Sequence, residues 1–289
     1  MDNDNFGGMD FVDLRNNGHE PPRPEPKRFK GSTLIKICIL AAAVFFGFHL
    51  FTGFFTGPHG SLPAGGVNIT GQVSNLDVSL VNSAIIVTSH VGNDIRVNFT
   101  PPATGGYRRP SYDFSGGGLR IYDQRRMFML FSFGGGGSLT ISLPEGDPGI
   151  VGMGLSTTNG RISVMGSHGN RLANNLSIST TNGAIEVGNF FVDNNAEIST
   201  TNGAVTLHSI EAGGDLTART TNGRIEGANL NAWRDLTMRT TNGAVALSNS
   251  RVAGLLTART TNGGVNITNV DADMDRADLG TTNGRVTIN

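Results

Sequence analysis

Arginine stands at Arg219, Arg239 and Arg259, twenty residues apart each time. Guanidinium groups grip carboxylates and phosphates in a bidentate fork, so a line of them could hold an acidic glycan or a phosphorylated polymer. The same line could instead be a charged face that keeps a sheet from aggregating, with Glu186 and Glu226 available as internal partners. Paired carboxylates would suit polysaccharide hydrolysis. The acids available for a pair are Asp147, Asp193, Asp215, Asp235 and Glu226. Only Asp215 and Asp235 share a spacing of twenty. The segment DADMDRAD brings Asp271, Asp273, Asp275 and Asp278 together, but it lacks the Gly and terminal Glu of a calcium loop. His90, His168 and His208 show no ligand spacing. No lysine follows Lys36, and Cys38 is the single cysteine, which rules out an intrachain disulfide and any cysteine-built zinc site. These residues indicate no catalytic, cofactor-binding or metal-ligating set. A formal net charge of -1 gives no field that would gather nucleic acid.

The twenty-residue spacing belongs to the chain as a whole. Thr-Thr-Asn-Gly occurs seven times, with its asparagines at Asn159, Asn182, Asn202, Asn222, Asn242, Asn262 and Asn283. A fixed period near twenty marks a repeat architecture. Four residues before each Asn stand Leu155, Ile178, Ile198, Ala218, Met238, Ala258 and Leu279. Six before, the residues are again apolar, with polar residues between. After the motif, Ile162, Ile185, Val205, Ile225, Val245, Val265 and Val286 restart the alternation. Period two marks strands buried on one face, so each repeat reads as strand, corner, strand, loop.

Inward positions are even before Asn and odd after it, so the chain must bend at Asn-Gly, where Gly permits positive φ. Asn-Gly is also a strong hairpin signal, which leaves an antiparallel meander as a rival. Identity at the same position argues for a parallel β-solenoid, in which every residue stacks on its own copy about 4.8 Å away. Stacked asparagine amides would then form an inward ladder, with threonine hydroxyls stacked likewise. Abundant glycine (41 residues) and few aromatics (7%) suit so thin a core.

Upstream, residues 67–150 alternate less regularly and read as degenerate early rungs on the same axis, with a loop inserted at 101–118. The apolar run MFMLFSF at 127–133 reads as a buried strand or a cap. The regular solenoid occupies 151–289. Residues 1–31 read as a disordered tail, 32–56 as one transmembrane helix and 57–66 as a linker. Between positions 37 and 55 only His49 could carry charge, and such a length spans about 30 Å of hydrocarbon. Arg23, Lys27, Arg28, Lys30 and Lys36 precede it and no Lys or Arg follows until Arg96, which places the N-terminus in the cytoplasm as in a type II protein. The C-terminal part then lies outside the cell or in a secretory lumen. Asn68, Asn98, Asn175 and Asn266 are its N-glycosylation sequons. The last strand runs to Asn289, an edge on which a second copy could stack end to end.

The segment LTISLPEGDPGIVGMGLSTTNGRISV, followed by repeated TTNG, resembles an adhesin-labelled family of bacterial and fungal surface domains. The resemblance covers about 67–289. It implies a right-handed parallel β-helix displayed on a surface, and an N-terminal anchor fits the fungal members better. It transfers no catalytic residue and no cofactor. The expected protein is therefore all-β, a solenoid with rungs of about twenty residues behind one membrane span. Its expected role is non-enzymatic adhesion to cell-wall glycan or a surface protein. The alternatives are a polysaccharide-active β-helix enzyme and a structural spacer.

Overall fold

The computed structural model describes residues 59–103, 109–123 and 136–289. The expected transmembrane helix, the tail before it and the run at 127–133 lie outside the described residues. Among those described, every regular element is a β-strand.

The repeats build parallel sheets in strict register. On the first face Leu176, Ala196, Leu216, Leu236 and Leu256 stack in order. On the second, Ile162, Ile185, Val205, Ile225, Val245, Val265 and Val286 do so. The parallel pairing excludes the meander. The core between the faces is a thin seam of Leu, Ile, Val and Ala, most of them under 3% exposed. Volume is traded within it. Met238 stands where Ala218 and Ala258 stand in adjacent turns, and Gly227 leaves room for it: a Cβ there would lie 3.2 Å from the Met238 methyl carbon.

Each motif letter has a distinct role. The first Thr is buried in every copy but the last, and its Oγ1 donates to the Gly carbonyl of the preceding corner at 2.7–3.1 Å from Thr180 onward. The second Thr offers its carbonyl to the Asn N–H of the next turn, at 2.8 Å. The Asn side chains form a ladder, each Nδ2 donating to the preceding Oδ1 at 2.6–2.7 Å. That ladder is exposed, not inward as the parity suggested, because the bend itself swings the amides outside. Nor do the hydroxyls stack on one another; the buried ones find a backbone carbonyl instead. None of the motif glycines has positive φ. Glycine is required by proximity: a Cβ at Gly183, Gly203, Gly223, Gly243, Gly263 or Gly284 would sit 1.8–2.1 Å from the glycine carbonyl of the preceding turn. An eighth corner, Leu80-Val81-Asn82-Ser83, precedes the first motif, and Asn159 Nδ2 donates to Asn82 Oδ1.

The expected loop after the second strand is in fact a second corner and a third face. Asn189, Ser209, Asn229, Asn249 and Asn269 adopt left-handed φ of 48–63° and fold strands such as Ile185–Val192 and Val245–Val252 through a second bend. Asn tolerates that region better than other non-glycine residues. Past the bend, Ala212, Ala232 and Val252 stack inward. A third corner returns to the first face. There Asn195, Asp215 and Asp235 each accept, through Oδ1, a backbone N–H of the next turn at 2.8–3.3 Å.

The N-terminal part departs from a simple run of early rungs. The strands Asn75–Ser79 and Ala84–His90 form the first turn in sequence but not in space. Gly118–Tyr122 and Ser138–Pro144 stack in parallel on its outer side, while Gly152–Thr157 and Ile162–Met165 stack on its inner side. Beyond them the pairing becomes antiparallel: Ser111–Ser115 with His59–Ser61, and Ile95–Thr100 with Val67–Ile69. Ser111–Ser115 thus lies inside the expected loop and His59–Ser61 inside the expected linker. Alternation reports a buried face; it carries no information on partner or direction.

Replacing Gly223 by Ala should therefore cost about 3 kcal/mol, since backbone rather than a movable side chain fills the space. Asn222→Ala, losing two exposed amide bonds, should cost about 1–2 kcal/mol. Denaturant midpoints of the two variants test both, and a Gly223→Ala protein as stable as wild type would refute the close approach.

Candidate functional site

The arginine line is real geometry. Arg219, Arg239 and Arg259 pair in register on the outer side of the first face. Each side chain is about half exposed. The twenty-residue period places them one strand spacing apart, about 4.8 Å at the backbone. Such a column would repel itself without counter-charge. Two carboxylates supply it. Glu197 lies 3.5 Å from Arg219, and Asp278 reaches both Arg239 at 3.7 Å and Arg259, whose Nε donates to it at 2.6 Å. The hydrogen bond to Asp278 raises the Arg259 pKa above its ordinary value. Three guanidiniums thus face two carboxylates, leaving one positive charge in excess. Glu186 and Glu226 do not serve this column; they pair with Arg161 and Arg224 around the second face.

The other acids are placed apart. Asp215 and Asp235 stack, and each spends an Oδ1 on the backbone of the next turn. Asp147 and Asp193 both bind Arg171, which also donates to Asn174. Burial pulls the Arg171 pKa down, but the bonds it donates to Asp193 and Asp147 outweigh it and the net shift is upward. Asp271 pairs with Arg251 at 3.5 Å. Among the described residues no group of three His, Cys, Asp or Glu side chains is disposed to hold a metal ion. His90 bonds to the Asp94 carbonyl at 2.7 Å, and the His208 ring covers the backbone at Gly188. A concavity beside Arg171, floored by Leu143, Leu172 and Phe190, has room for about one water molecule. The sequon residues Asn68, Asn98, Asn175 and Asn266 are all exposed.

One exposed residue escaped the sequence reading. Trp233 stands 59% exposed after the short strand Asn231–Ala232, and its indole N–H donates to Glu211 at 2.9 Å. The available signal was its being the single tryptophan, set where other repeats carry Asp193, Gly213 or Ala253.

Acid should loosen the turn around Arg171. The backbone N–H of Gly149, and after it Arg171, hold Asp147 below the ordinary carboxylate value of 3.8 against the pull of burial. A lowered native pKa stabilises fully above the unfolded value, and that contribution disappears as pH falls through the native one. Asp147→Asn should therefore melt below wild type at pH 7, with the gap closing as pH falls below about 4. Parallel melting curves across that range would contradict the assignment.

Residues 73–289 match the model of a family described as Toastrack DUF4097. No curated protein and no solved structure matches the chain.

Proposed function

The chain belongs to the Toastrack DUF4097 family, and on that premise we propose that it is a membrane-anchored, non-enzymatic surface protein that binds an acidic glycan or acidic surface polymer through the first face of its solenoid. The carrying observation is the register of Arg219, Arg239 and Arg259: three half-exposed guanidiniums on a rigid ladder, with one carboxylate on the strand at either end. Repeating anionic groups along a polymer can exchange for those carboxylates one rung at a time. A surface site of this kind needs no enclosed cavity, and its fork geometry favours carboxylate or phosphate over hydroxyl. The apolar segment at 37–55 would hold the solenoid at the membrane with the N-terminus inside, as the basic residues before it indicate.

The test is binding of the full chain, in detergent or lipid discs, to immobilised acidic and neutral polysaccharides. Acidic polymers should bind in a salt-sensitive manner, and Arg239→Ala should weaken binding about tenfold. Equal binding by Arg239→Ala, or none by wild type, would overturn the proposal.

A further inference from the structure

The third face carries a second outward row, unlike the arginine column in chemistry and on a different side of the coil. Glu211, Asn231, Arg251 and Asp271 lie in register, one per turn. Their side chains are a carboxylate, an amide, a guanidinium and a carboxylate. All are planar and polar, and together they both donate and accept hydrogen bonds. Two residues past Asn231 stands Trp233.

Three features make that tryptophan more than a stray surface residue. Its ring is held, because Nε1 donates to Glu211, a member of the row. Its flanks are bare. Gly213, Trp233 and Ala253 occupy the same position in successive turns, each N–H donating to the residue twenty-one before it. The largest side chain in the column therefore lies between two of the smallest. Its exposure of 59% leaves much of an aromatic surface uncovered beside the polar row. Indole presents a large, rigid apolar area at small entropic cost and is enriched among the anchors of binding surfaces.

We propose that Trp233 and the row Glu211, Asn231, Arg251 and Asp271 form a binding site for a neutral, β-linked glycan. A pyranose ring has one face of C–H groups, which stacks on an aromatic surface, and a rim of hydroxyls, which seeks planar donors and acceptors. The site offers both, side by side. Its local charge favours a neutral ligand: Glu211 and Asp271 stand against Arg251, while Arg234, beside Trp233, is taken by Asp215 at 3.6 Å. Phosphate-bearing chains would meet net repulsion here. The strand repeat of about 4.8 Å lets successive sugars of an extended chain meet successive residues of the row.

Because the chain has one tryptophan, its fluorescence reports this site alone. Oligosaccharides of β-linked glucose and of β-linked N-acetylglucosamine should be titrated into the full chain in detergent. A saturable blue shift and protection from a soluble quencher are expected. Calorimetry should show Trp233→Ala weakening the binding about tenfold. Trp233→Phe should retain part of it and Asn231→Ala should lose several-fold, while Arg239→Ala leaves it unchanged. Melting curves on the same samples check that the variants fold. No spectral response to either sugar series, or affinity untouched by Trp233→Ala, would overturn the site. A response confined to an oligonucleotide or a peptide would overturn the glycan assignment. No response to either neutral sugar series, together with acidic-polymer binding that Arg239→Ala weakens, would overturn this site and leave the acidic-polymer reading standing.

Discussion

The carbonyl of each motif glycine lies so close to the glycine of the next turn that a methyl group could not fit between them. This contact sets the pitch of the corner, and the corner sets everything stacked on it. With the backbones locked at that distance, the first threonine reaches the preceding glycine carbonyl and the second offers its own carbonyl to the next asparagine. The asparagine amides then meet at hydrogen-bond distance outside. Each turn thereby satisfies the backbone of its neighbour, as buried polar groups require. The core can be thin because the ladders share the work of holding the turns together.

Such a scaffold separates structure from surface. Inward positions are mostly Leu, Ile, Val, Ala, Met or Gly, with Phe190 and Ser250 as departures in one column, and they compensate in volume, as Met238 and Gly227 do. Outward positions are free to differ, but each difference lands in register with its copies and becomes a line. Arg219, Arg239 and Arg259 form one such line; Glu211, Asn231, Arg251 and Asp271 form another. A long molecule lying across turns would meet these lines repeatedly, which is the geometric basis of the polymer binding proposed for the faces.

The sequence made the period, the strand pairs around each motif, the parallel stacking and the arginine column legible, because stacking rewards identity and identity is visible in letters. It misled on orientation. Parity placed the asparagines inside, yet the bend turned them out and left the first threonine as the buried polar residue. It also assigned glycine a role in φ, where the demand is for space. The second bend, marked by Asn189, Asn229, Asn249 and Asn269 seven residues after the motif asparagine, is present in the letters, but the letters there suit a loop equally well. Trp233 was legible only as a singular residue, since its importance depends on bare neighbours one turn away.

By itself the sequence determined that copies stack on copies, at a period of about twenty residues, with one apolar and one polar side to every strand. These are properties of adjacent letters and of their repetition. Tertiary structure alone decided the rest. It placed the turn of Asn75–Ser79 and Ala84–His90 between later strands, and it closed that end with antiparallel partners. It also gave Asp278, rather than Glu186 or Glu226, to the arginines. Those outcomes depend on which edges meet across dozens of residues, and local alternation is the same whichever edge a strand finally joins.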